Sequence, residues 1–285
     1  MKKAALLILV ALVAGLAVYI KISSSCYLSD AEAISIAKDF SSKLNTPFIF
    51  EPVVRNADHS WWLNSEPRVK EVTFNRRESS ELEFKINCAT KQVVAYYNWK
   101  IRRQVREKYN ISNVTTEHHN WPGFLSKVKA KEILISISNK LEIPTSLYFN
   151  DLSLDKDNGF WSGWWVRKYK GYSFESDGAG ISIAAVDGEI VSYGLSLVGE
   201  PCPTEVKISK EQAIEESLMH ASALFKAATW AKYKDQFDVV SAELKIVQPT
   251  IFHSWSFPWY STSSRLAWKV VFQLRSLKWT PLSRQ

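Results

Sequence analysis

The sequence predicts an α+β chain: three repeated units, each a helix packed on a small antiparallel sheet, behind one hydrophobic N-terminal helix. Three observations predict it. Amphipathic helical stripes come round three times. Each is followed by aromatic and β-branched sequence of strand type, which closes twice in a hairpin. One unbroken apolar run, Ala4 to Ile20, precedes them all. The chain has 285 residues, 46% of them hydrophobic, so each unit can bury a core of its own and disorder is excluded.

The apolar run follows Met1, Lys2 and Lys3 and is closed by Lys21. It is near the lower limit of a spanning helix, about 17–25 residues, and long for a signal-peptide core of about 7–15. Gly15-Leu16-Ala17 is a weak cleavage site inside the run. Ser23-Ser24-Ser25-Cys26 resembles a lipoprotein site, with Ser23 where a large aliphatic residue is usual. An uncleaved anchor is favoured over a cleaved signal and over a lipoprotein. In each case Lys2 and Lys3 stay in the cytoplasm and the chain beyond about residue 25 is exported. The expected location is the cell membrane, single-pass, with the C-terminal region outside the cytoplasm.

Residues 1–25 form that segment; 26–110, 111–200 and 201–285 form the three units. In the first, Ser29 and Glu32 have capping-box spacing. Ala33, Ile36, Ala37, Phe40 and Leu44 share a helical face, and Pro47 ends it. Strands are expected over Glu71–Arg76, Glu81–Ile86 and Val93–Asn98, the last two joined by a turn over Asn87–Gln92. In the second, Ile133, Leu134, Ile137 and Leu141 form the stripe, and Pro144 stops it. Strands follow over Leu147–Leu154 and Phe160–Lys168. Asp187-Gly188 then joins Gly180–Val186 to Glu189–Leu197, as a tight turn needing positive φ requires. The third opens with Ser209 and Gln212, again a capping box, and Ile214, Leu218, Ala221, Phe225 and Ala228. Its strands are Ser241–Val247 and Leu266–Leu274. The tail Arg275–Gln285 is too short for a closing hairpin, so a sheet edge is expected to stay open to a peptide, a partner or a second copy.

These units resemble PepSY domains, arranged as in exported bacterial proteins of the YcdB/YcdC type. Ser209-Lys210-Glu211-Gln212-Ala213 resembles the family's S-x-E-x-A helix opening. Asn87-Cys88-Ala89-Thr90-Lys91-Gln92-Val93 resembles its D-x-x-T-G-x-V turn, with Asn87 for Asp and Lys91 for Gly. Ala185 to Val191 is a shortened form of that turn, and Arg265 to Val270 resembles the strand before it. The resemblance implies a helix on a small antiparallel sheet, a place outside the cytoplasmic membrane, no catalysis, and control of peptidases.

Catalytic motifs are absent: there is no G-x-S-x-G, H-E-x-x-H, P-loop or dinucleotide fingerprint. His118 and His119 are adjacent, so on a regular element they diverge rather than chelate. Asp155 to Gly159 reads as a turn rather than a calcium loop, because Val166 stands where the twelfth-position Glu would be. Asp177-Gly178-Ala179-Gly180 reads as a turn before a strand. No enzyme, cofactor or metal is expected. Of Cys26, Cys88 and Cys202, the last two could pair, but they fall in different repeats, and unpaired thiols are favoured.

The net charge of +7 permits contact with phospholipid or wall polymers, and Trp99 to Tyr109 carries five basic residues. A solvated connector is the favoured reading of that run. Nucleic acid is not an expected partner. Twelve Trp residues leave two aromatic clusters as candidate ligand-binding residues, Trp161, Trp164 and Trp165, and Trp255 and Trp259, although packing between helix and sheet is the favoured reading of the first. Alternation along a strand puts Trp161 and Trp165 on one face and Trp164 on the other. The expected function is a membrane-anchored, non-enzymatic binding protein for an envelope peptide, protein or wall polymer. Its rivals are a carbohydrate or peptidoglycan module using these Trp residues, and a hydrolase with an unrecognised site.

Overall fold

A computed structural model describes residues 26–46, 51–56, 69–76, 79–108, 123–197, 199–224, 237–247 and 264–274. They form helices α1 (Asp30–Lys43), α2 (Trp99–Lys108), α3 (Lys127–Lys140) and α4 (Lys210–Leu224). The strands are β1 (Pro52–Asn56), β2 (Val69–Arg76), β3 (Ser79–Asn87), β4 (Val93–Asn98), β5 (Leu147–Asp155), β6 (Phe160–Tyr169), β7 (Tyr172–Ala184), β8 (Ile190–Ser196), β9 (Phe237–Val247) and β10 (Arg265–Leu274). Two compact units result. The described residues up to Val166, with Gly178–Ser196, form the first; Arg167–Asp177 and those from Leu197 onward form the second.

The tandem arrangement expected from the sequence, with a separate small sheet under each helix, is not what forms. The chain is mostly antiparallel sheet. In the first unit the order is β1-β2-β3-β4-β8-β7-β6-β5. β4 pairs antiparallel with β8, Tyr96 opposite Tyr193, so strands of two repeats share one sheet. Pairing satisfies backbone groups that two small sheets would leave on open edges. The expected N-terminal helix over Ala4–Ile20 lies outside the described residues, and no described helix is long and apolar enough to cross a membrane.

The two repeats of this sheet match at an offset of 97 residues, as from Ser29 to Ser126 and from Tyr96 to Tyr193. Ser29 caps α1 by accepting from the Glu32 amide, and Ser126 caps α3 from the Lys129 amide. Both helices end in the same way. Asn45 and Glu142 turn to positive φ, 54° and 53°. The Thr46 and Ile143 amides then donate back to the Ser41 and Ser138 carbonyls. This backbone closure stops each helix before the proline is reached. Lys91 (φ 57°) and Gly188 (φ 80°) hold equivalent places in the two hairpin turns.

Ala33, Ala37 and Phe40 of α1 and Ala130, Leu134 and Ile137 of α3 pack on Phe84, Ile86 and Tyr96 and on Ile181, Ile183 and Tyr193 in one core. Each large buried side chain contributes about 1.5–3 kcal/mol. The basic run after Trp99, expected to be a connector, is helix α2. Ile101 and Val105, one turn apart, pack on Phe160, Ala184 and Val191 in a separate cluster.

Cysteine pairing differs from expectation. Cys26 and Cys88 form a disulfide, fastening the segment before α1 to the β3–β4 turn, and Cys202 is the buried free thiol. Burial pushes the Cys202 thiol up.

In the second unit β9 pairs antiparallel with β10, and parallel with β7 at Ser173 and Phe174. Phe174, Cys202 and Ile246 form its core. Ser209 and Gln212 make the full capping box at α4: each side chain accepts from the other residue's amide. The expected turn at Asp177–Gly180 is instead continuous β7. Asp177 is buried, accepts from Arg167 at 2.6 Å, and takes the Gly199 amide at 2.9 Å. In the first unit, a Cβ at Gly178 would lie 2.3 Å from the Trp165 carbonyl oxygen. This glycine serves close strand approach rather than a turn. Among the described residues no strand pairs with the outer edge of β10; the tail beyond Leu274 lies outside them.

Candidate functional site

A cavity of about 530 Å³ opens in the first unit. Its walls come from the end of α1 (Leu44, Thr46), from α3 (Ile133, Ile137) and from Phe74, Leu82 and Ile190 of the sheet and turn. The end of β4 supplies Asn98, and the start of α2 supplies Lys100 and Ile101. Glu81, Glu189, Lys100 and Lys140 bring charge of both signs to the same lining. The volume suits a small ligand or a peptide side chain with its flanking groups.

Below this lining lies Tyr96, completely buried, whose hydroxyl has no hydrogen-bond partner. Burial pushes its pKa up to about 12. Thr46 and Asn98 come near enough to draw it down slightly, and Glu189 adds to the rise, yet neither neighbour meets hydrogen-bond geometry. An orphan hydroxyl in such a place costs about 1–3 kcal/mol. Asn98 is itself engaged, its Oδ1 accepting from the Ile101 amide at the start of α2.

The aromatic candidates divide. Trp161 and Trp165 are buried at 7% and 5% exposure, whereas Trp164 is 50% exposed. Trp161 donates to the Leu125 carbonyl, and Trp165 packs edge-on to Phe149. Trp164 lies over Gly180, where a Cβ would come within 2.6 Å of its ring. On the same face Tyr97 is opposite Ser192, Ser192 is opposite Ser182, and Ser182 meets Ser162 at 2.9 Å. Tyr97 stacks on Trp99, whose indole donates to Glu83 and carries Arg102 above it. Trp255 and Trp259 lie outside the described residues, as do His118 and His119.

The parts of the cavity are scattered from Leu44 to Ile190 and bear no sequence motif. The one available signal was the paired tyrosines in equivalent strands. Among the described residues no three His, Cys, Asp or Glu come together as a metal set.

No family model matches the chain, and no curated protein does. Among solved structures it is similar to the Bacillus megaterium YpeB C-terminal domain, at 12% identity and a TM-score of 0.46, over 87% of this chain and 88% of that one. A likeness of that size carries no argument about family or function.

Proposed function

We propose that the chain is a non-enzymatic binding protein of PepSY type that works outside the cytoplasm, held to the membrane by residues 4–20, and that its partner is an envelope peptide, protein or wall polymer. The Cys26–Cys88 disulfide carries this reading. Structural disulfides persist in oxidising compartments and are rare in the cytosol. The basic start and apolar run supply the route of export.

Thiol trapping in intact cells tests it. Denatured, unreduced protein should take one maleimide, on Cys202, and three after reduction. Three labels without reduction would place the chain in a reducing compartment and end the reading.

A second reading has one specific observation in its favour. The exposed Trp164, beside a row of three serines and the Tyr97–Trp99 stack, offers a flat surface for a sugar ring. Retention on wall polysaccharide that Trp164→Ala abolishes would support it; equal retention would dismiss it.

A further inference from the structure

The 530 Å³ cavity sits where the two repeats of the first unit differ. In one place Lys43 of α1 pairs with Glu142, just past α3, at 3.0 Å. The equivalent residues, 97 positions on and back, are Lys140 and Asn45. Asparagine cannot complete that ion pair, and both residues line the cavity. A second pair, Lys91 with Glu32 at 2.6 Å, has Gly188 and Lys129 as its counterparts. Gly188 also lines the cavity. Two ion pairs present at one place in the unit thus have no counterpart at the other, where the cavity opens.

We propose that this opening is a peptide-binding site, taking an extended segment with one bulky apolar side chain; it rests on the binding reading above. Leu44, Ile133 and Ile137 receive the side chain. Thr46 and Asn98, which line the opening, offer a hydroxyl and an amide to the main chain of the ligand. Lys100 and Lys140 with Glu81 and Glu189 match a dipolar main chain better than a ligand of one charge.

Calorimetry on the purified full chain tests it, with acetylated and amidated Gly-Leu-Gly and Gly-Phe-Gly against the Gly-Gly-Gly peptide. The Leu and Phe peptides should bind at least about tenfold tighter than the glycine peptide. Asn45→Glu rebuilds the Lys43–Glu142 pair in the second place and should weaken binding about tenfold or more. The backbone tolerates the change, since Glu142 already holds the same positive φ. Ser136→Trp, at an exposed lining position, should abolish binding. Equal affinity for all three peptides, or affinities unmoved by Asn45→Glu and Ser136→Trp, would overturn the proposal. Peptide binding that survives both lining variants removes this site but leaves a binding protein; the thiol experiment judges export separately.

Discussion

The two repeats of the first unit use the same parts and fasten them differently. Leu28 and Leu125 hold equivalent places before α1 and α3. The Leu28 carbonyl accepts from buried Lys70, and the Leu125 carbonyl accepts from Trp161. Beside them, Cys26 is bonded to Cys88, whereas the Leu125 amide donates to Ala185, the counterpart of Cys88, at 2.7 Å. A backbone hydrogen bond gives a net stabilisation of about 1 kcal/mol, and a disulfide about 2–4. Helix, turn and core are alike in the two repeats, and the fastening and the exposed ion pairs differ. The first repeat carries a covalent clamp, and an opening lies between the two.

The largest effect tests what the repeats share. Ala33 and Ala130 are fully buried under their helices. Ala33→Asp and Ala130→Asp should each destabilise the first unit by about 3–5 kcal/mol, since an unpaired charge enters the core. Thermal melts that differ sharply between the two would break the equivalence.

Next comes the fastening. Replacing Cys26 and Cys88 by Ala should cost about 2–4 kcal/mol in chemical denaturation and make the melt insensitive to reductant. A melt as stable as the parent's would show that the clamp adds nothing beyond the hydrogen-bonded repeat.

The paired tyrosines sharpen the comparison through pH. Burial raises both Tyr96 and Tyr193 to about 12, above their ordinary 10. Their neutral forms favour the fold below pH 10, and that contribution is lost as pH rises from 10 through about 12. Each should cost about 2–3 kcal/mol across that window. Alkaline titration followed by near-ultraviolet circular dichroism reads this, and a flat stability between pH 10 and 12 would contradict it. Tyr96→Phe and Tyr193→Phe should each remove one share.

The smallest effect lies in the turns. Gly188→Ala places a Cβ 2.7 Å from Ile133 Cδ1 at positive φ and should cost about 1–2 kcal/mol. Lys91→Gly relieves the same backbone and should gain at most about 1 kcal/mol, offset by loss of the exposed Glu32 pair. A Lys91→Gly variant that melts as far below the parent as Gly188→Ala would refute the turn equivalence.

Local signals were legible in the sequence and long-range ones were not. Ser29, Ser209 and Gln212 announced helix starts because capping needs only neighbouring atoms. Asp187-Gly188 announced its turn for the same reason. The pairing of β4 with β8 depends on strands 97 residues apart, and no local pattern encodes it. Helix α2 was hidden by its charge, since only Ile101 and Val105 mark an apolar face. Gly178 and Gly180 looked like turn residues, although their small size serves the approach of Trp165 and Trp164. With three cysteines, spacing left the connectivity open. The cavity needed the fold first, because an opening is a difference between repeats rather than a motif.

The bridge from Cys26 to Cys88 also sets the mechanics of the chain. It closes a loop of sequence separation 62 that contains α1 and the first three strands. Tension applied upstream of Cys26 crosses the sulfur atoms and re-enters the backbone at the β3–β4 turn. Everything inside the loop is bypassed and carries no extending load until the bridge is reduced. A pulling experiment would therefore show a contour length shorter by that loop in oxidised protein, and the full length after reduction.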